Sequence, residues 1–161
     1  MGEVATIKGR IKAISVSEHK GTPKRNVPEA DLQIDHGIVG DAHAGSGHRQ
    51  VSLLAFESIR RLREKGLRIV PGDFAENITT EGLDMRSLKI GAKLKIGDEA
   101  ELEIAQLGKA CHGRCAVYDR LGDCIMPKEG VFARVTGGGR IRVGDWIEIT
   151  DDQSGDSDNQ R

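Results

Sequence analysis

Long apolar runs are absent from this 161-residue chain. None approaches the ~20 residues of a membrane-spanning helix, so no membrane association is expected. The first residues, Met-Gly-Glu-Val-Ala-Thr-Ile-Lys, lack the basic and apolar regions of a signal peptide. Excess charge of either sign is also missing. The formal net charge is −1, which argues against a general binder of nucleic acid or anionic membrane. Cysteine is limited to three residues, an odd number with no small-domain disulfide framework. A reducing, cytoplasmic setting is therefore expected. Aromatic residues number five, against 21 glycines. Glycine in that proportion, with short apolar runs between, implies many tight turns and a β-rich fold instead of a helical bundle.

The three cysteines that are present all fall in residues 107–127, at positions 111, 115 and 124. Lys109, His112, Arg114 and Arg120 surround them. A thiol reacts or ligates as its thiolate, and neighbouring cations favour that form. Cys111 has the nearest cations in sequence, Lys109, His112 and Arg114, and is the candidate reactive or metal-binding sulfur. Cys115 and Cys124 are candidate helpers. The opposing reading, a small buried hydrophobe, applies to any free cysteine. It is outweighed at Cys111 alone, by the clustering.

Along the chain, residues 4–16 are rich in β-branched side chains and predict one long or bent strand. Gly9 is a candidate bulge. Residues 17–29 read as a polar, basic loop. A strand over Ala30–His36 is followed by glycines at 37, 40, 45 and 47, with Asp41, His43, His48 and Arg49 among them. Glycines let backbone amides approach a ligand and form anion-binding nests. The spacing fits neither a Walker loop nor a dinucleotide fingerprint. Asp41, His43 and His48 could also be read as metal ligands or as ordinary surface groups. Ser52 is positioned to cap a helix running to about Lys65, with Ala55, Ile59 and Leu62 on one face and Gly66 as its stop. Phe74–Thr80 reads as a strand with Glu76 and Asn77 in its middle, either solvated or holding something polar. Asp84–Leu88 is expected to make one helical turn.

From Ala92 the pattern is strand after strand. Ala92–Ile96 and Glu99–Ala105 flank Gly97-Asp98 and predict a hairpin. Ala100, Leu102 and Ile104 alternate with Glu99, Glu101 and Glu103, giving one buried and one acidic face. Val131–Val135 and Arg140–Val143 flank a Thr-Gly-Gly-Gly turn, and Trp146–Ile149 forms the last strand. Residues 151–161 contain only polar residues and glycine, with four Asp, and are expected to be disordered. Together these features predict a single domain over 1–150. It is mainly β, a closed antiparallel β-barrel with one main α-helix and short helical turns. The cysteine stretch is a long excursion between two of its strands.

Several segments resemble the MOSC domain, the C-terminal module of molybdenum cofactor sulfurases. They include Gly-Ile-Val-Gly-Asp-Ala-His, His-Arg-Gln-Val-Ser-Leu, Gly-Asp-Phe-Ala-Glu-Asn-Ile-Thr-Thr-Glu-Gly-Leu, Gly-Lys-Ala-Cys, Gly-Val-Phe-Ala-Arg-Val and the closing Val-Gly-Asp. Order and spacing agree from about residue 5 to 150, most nearly with the small stand-alone bacterial members. The resemblance implies a barrel similar to that of pyruvate kinase and one essential cysteine, which falls on Cys111. It implies that Cys111 carries sulfur as a persulfide or ligates molybdenum of the molybdenum cofactor (molybdopterin). The glycine loop at 37–50, with Asp41, His43 and Asn77, would hold the pterin, and Arg49, Lys109 and Arg114 would balance its charge. The implied partners are a cysteine desulfurase or proteins of molybdenum cofactor biosynthesis and its acceptors. Pyridoxal phosphate belongs to the family's fused desulfurase half, so none is expected here. Two other functions stand beside this one. One is a zinc-binding module using Cys111, His112, Cys115 and Cys124, whose spacing matches no common zinc knuckle or ribbon. The other is a non-catalytic β-barrel interaction domain.

Overall fold

The computed structural model describes residues 7–20, 22–45, 47–108 and 129–151. Cys111, Lys109 and Arg114 lie outside the described residues, as do His112, Cys115, Cys124 and the acidic stretch beyond Asp151.

In chain order the elements are β1 (Lys8–Val16), β2 (Arg25–Val27), β3 (Glu29–Gln33), β4 (Gly37–Ile38), β5 (Val51–Ala55) and α1 (Phe56–Glu64). Then come β6 (Ile78–Glu81), a 3-10 turn at Met85–Ser87, β7 (Lys93–Ile96), β8 (Ala100–Leu107), β9 (Val131–Gly137), β10 (Gly139–Arg142) and β11 (Trp146–Asp151). Seven strands close a ring in the order β1-β11-β7-β8-β9-β5-β6 and back to β1. The closed barrel with one main helix and a short helical turn is as expected. One pairing departs from the antiparallel rule: β5 and β6 run parallel. Parallel neighbours need a crossover connection, and α1 with the segment after it supplies one.

The strongest sequence pattern translates directly. In β8, Ala100, Leu102 and Ile104 are buried, while Glu101 and Glu103 are half-buried on the other side. β7 pairs with β8 from Lys93↔Glu103 to Ile96↔Ala100, and Gly97 turns the hairpin with φ of +59°. Inward residues such as Ile11, Ile14, Leu53, Ile78, Leu94 and Leu102 fill the barrel. A second cluster of Leu54, Phe56, Ile59, Ile69, Phe74 and Phe132 packs α1 against the barrel's outside. A seven-stranded ring filled by side chains leaves no channel, so the chemistry must sit on the rim and its loops.

Several expectations are corrected. Ser52 is not a helix cap; it lies inside β5, and α1 begins four residues later behind Ala55, which makes no side-chain cap. Every one of Val51, Ser52, Leu53 and Leu54 is buried, because β5 packs on the barrel core on one side and the helix cluster on the other. β6 starts at Ile78, not Phe74; the residues before it form turns. Arg25–Val27 pairs with Val16–Ile14 as β2, within the stretch read as a loop. The strand read at Ala30–His36 runs from Glu29 to Gln33. The glycines at 37–50 admit a two-residue strand, β4, at Gly37–Ile38. The bulge in β1 falls between Ile11 and Ala13, where the register with β6 shifts. Gly9 serves another purpose: a Cβ there would stand 2.5 Å from the Glu81 carbonyl oxygen. The Thr-Gly-Gly-Gly stretch carries the chain from one sheet to another. β10 pairs with β3 in a separate three-stranded sheet, β10-β3-β4. Asp151 is the last residue of β11, not the first of a tail.

Candidate functional site

The segment that follows β4 is pinned by Asp41. Its side chain is fully buried, as is that of Lys24, whose Nζ donates to Asp41 Oδ1 at 2.8 Å. The same oxygen accepts from the Ser17 amide at 3.0 Å, and Oδ2 accepts from the His43 amide at 3.0 Å. Lys24 also donates to Ser17 Oγ at 3.0 Å. One carboxylate thus ties the glycine loop to the end of β1 and the start of β2. His43 sits partly exposed, its Nδ1 3.8 Å from Asp41 Oδ2.

Below this pair lies a layer of buried polar groups. Asn77 Oδ1 accepts from the Ser52 amide (2.9 Å) and Ser52 Oγ (3.2 Å), and Asn77 Nδ2 donates to the Ser15 carbonyl at 3.1 Å. Asn77 is wholly buried, and its amide is spent on joining β1, β5 and β6. Glu76 is also wholly buried. Its Oε2 accepts from the Gly72 amide (2.8 Å) and Thr79 Oγ1 (2.9 Å), while Oε1 has no hydrogen-bond partner. Of the two sequence readings of this pair, the polar-holding one is correct, and what is held is the protein's own backbone.

The electrostatics follow from burial and partners. Burial tends to raise the Asp41 carboxyl, but the Lys24 ammonium and the Ser17 and His43 amides outweigh it, so its pKa lies below the usual carboxylate range. Burial draws the Lys24 ammonium downward against the attraction of Asp41 and Glu76. Burial pushes Glu76 upward in spite of its donors. Asp41 therefore contributes stability that is complete above its unfolded pKa of about 3.9 and is lost as pH falls through its lower folded value. Glu76 acts in the other sense. Its folded carboxyl holds the proton to higher pH than the unfolded one, so stability declines as pH rises from about 4.3 through its folded value. Urea unfolding midpoints measured against pH should fall on the acid side in the wild type and less so in Asp41→Asn. The decline above about pH 4.3 should flatten in Glu76→Gln. Parallel profiles for the three proteins would refute these assignments.

A second group lies at the β8–β9 edge. The Gly108 amide donates to the Gly130 carbonyl at 2.7 Å, so the cysteine-bearing excursion leaves and rejoins the barrel at one spot. Gln106 Nε2 donates to the Gly108 carbonyl, and Gln106 Oε1 meets His48 Nε2, each at 2.7 Å. Arg49 is exposed, with its guanidinium carbon 5.8 Å from the centre of the Phe132 ring. Among the described residues it makes no ion pair. The return end is braced by α1: Glu129 accepts from Ser58 Oγ and from Arg61 at 2.6 Å.

The structure thus brings Asp41 and His43 together, with Asn77 in the polar layer beneath, and sets Arg49 apart beside the attachment point of the cysteine segment. Lys24, His48 and Gln106 were missed as members of these groups. His48 stood in the glycine loop, but nothing paired it with Gln106, 58 positions away. Lys24 carried no usable signal, since a lysine in a Pro-rich polar stretch is ordinarily exposed. No group of three or more metal-ligating side chains occurs among the described residues.

A closed, side-chain-filled mixed barrel with its polar groups gathered on rim loops is a scaffold that carries chemistry on excursions. The chain belongs to the MOSC domain family, which it matches over residues 40–148. No curated protein matches the sequence. Among solved structures, the YuaD protein from Bacillus subtilis superposes with a TM-score of 0.74 at 20% identity, covering 90% of this chain and 97% of that one. YiiM from Geobacillus stearothermophilus gives 0.70 at 20% identity, covering 91% and 77%. YiiM from Escherichia coli gives 0.60 at 19%, covering 88% and 69%. At these identities the likeness is one of fold. No helix among the described residues is long and apolar enough to cross a membrane.

Proposed function

We propose that this MOSC domain handles sulfur for the molybdenum cofactor, with Cys111 as the carrier. The observation that supports the reading is the brace between Gly108 and Gly130. It roots the cysteine segment on the rim beside exposed Arg49 and His48. In the transfer, the Cys111 thiolate attacks the outer sulfur of a persulfide on a cysteine desulfurase. The new S–S bond forms as the donor's S–S bond breaks, and the donor cysteine leaves as a thiolate. Lys109, Arg114 and Arg49 favour the attacking thiolate and shield the anionic acceptor.

The same thiolate would suit molybdenum of a bound molybdopterin cofactor, a soft-ligand role. The described residues fit that group in part. Arg49, exposed and without an ion pair among the described residues, could meet its anionic portion. Asp41 and Asn77 have their polar atoms engaged within the fold, so their part is to hold the loop. When bound, the cofactor would supply redox or sulfur-acceptor chemistry at the metal.

Incubation with a cysteine desulfurase and cysteine should add one sulfur to the intact mass, removable by dithiothreitol and absent in Cys111→Ser. No gain, together with molybdenum retained only by the wild type, would replace the carrier with a metal ligand. Zinc retained in purified protein would favour the zinc-binding alternative.

A further inference from the structure

Five cations on one outer face of the barrel make no ion pair with a described residue. β1 turns Lys8, Arg10 and Lys12 outward. Lys8 Nζ and the Arg10 guanidinium carbon stand 4.7 and 4.4 Å from the ring centre of Trp146 on β11. Farther along, Lys12, Arg60 and Arg63 converge on the ring of Phe56, at 4.9, 5.5 and 5.4 Å. None of the five makes an ion pair with a described residue, whereas Arg61, Arg134, Arg140 and Arg142 each have one. Trp146 itself is 47% exposed. Cations resting on aromatic rings are held in place yet remain able to accept an anion.

We propose that this face, from Trp146 across β1 to α1, docks a protein partner through a carboxylate-rich segment. Three features select that chemistry. The aromatic faces already carry cations, so nucleobase stacking would have to displace them. Glu148 stands opposite Lys8 and Glu81 opposite Arg10, which suits a mixed-charge protein surface and repels a continuous phosphate track. Cations around the half-exposed Trp146 match the composition of protein interfaces, where Trp and Arg act as anchors. The same helix holds Glu129 through Ser58 and Arg61, on the side turned away from Phe56, Arg60 and Arg63. Docking does not depend on the chemistry of Cys111.

Fluorescence anisotropy with a labelled polyglutamate peptide tests the proposal, with oligo-dT and phosphatidylserine vesicles as competing probes. Wild type and Cys111→Ser should bind the peptide equally, and added salt should weaken both. Lys12→Glu/Arg60→Glu should lose about tenfold or more in affinity, and Lys89→Glu, on another exposed stretch, less than about twofold. Amide shifts of the wild type on peptide addition should cluster at β1, α1 and Trp146, a readout that needs no variant. Absence of peptide binding, shifts centred elsewhere, indifference to the double substitution in a folded protein, or tighter binding of oligo-dT or vesicles would each overturn it.

Discussion

Asp41→Ala should cost about 3–5 kcal/mol of unfolding free energy, because it strands a buried ammonium. Lys24 Nζ has Asp41 Oδ1 at 2.8 Å, and both side chains are wholly excluded from solvent. Removing the carboxylate also strips acceptors from the Ser17 and His43 amides. Glu76 still attracts Lys24, which places the expected cost toward the lower end of that range. Replacing the pair together, as Lys24→Met/Asp41→Leu, should restore much of the loss, since a well-packed apolar pair avoids the desolvation that the charges incur. Urea denaturation of the two single variants and the double gives the coupling energy directly. If Asp41→Ala costs less than about 1 kcal/mol, water reaches the pair and the pinning of the glycine loop is not its work.

Gly72→Ala should be comparably severe for a different reason. Gly72 has φ of +97°, and a Cβ there would sit 2.4 Å from the Lys24 carbonyl oxygen and 3.0 Å from Ser15 Oγ. The nearest obstacle is backbone, so no rotamer change relieves it. Gly72 also accepts from the Lys24 amide at 2.8 Å and donates to Glu76. The left-handed backbone alone costs an alanine about 1–2 kcal/mol, and forced overpacking adds about 1–3 kcal/mol. Gly40→Ala isolates the first of these: φ there is +89° with nothing within 4 Å of the added carbon. Thermal and urea midpoints should rank Gly40→Ala mildly and Gly72→Ala strongly destabilised. Equal losses at the two positions would mean that the Lys24 carbonyl yields and that contact geometry is not the cause.

What the sequence disclosed and what it hid divide along physical lines. Elements with one buried and one wet face were readable, and β8 with its alternating glutamates is the clearest case. α1 was readable through its periodicity and through Gly66, which ends it with φ of +94°. β5 was not, because a strand buried on both sides has no alternation, and Val-Ser-Leu-Leu-Ala runs straight into the helix. Ser52 looked like a cap for the same reason, whereas its hydroxyl and amide meet an asparagine 25 positions away. The Thr-Gly-Gly-Gly stretch was readable as a turn between strands, but not the partner of the second strand, since β10 finds β3 more than a hundred residues earlier in the chain. Buried charge was the least legible feature. Lys24 is indistinguishable from a surface lysine until the fold brings Asp41 to it. The family resemblance, carried by short motifs in order, did reach the correct barrel and named the loop that Asp41 anchors.

The 2.7 Å contact between Gly108 and Gly130 also makes the cysteine segment a replaceable cassette. The two ends are already held together, so a change in the length between them alters closure entropy slowly, by about 0.6 kcal/mol per doubling. A graft of a different loop between these glycines would inherit two ends already joined by a hydrogen bond.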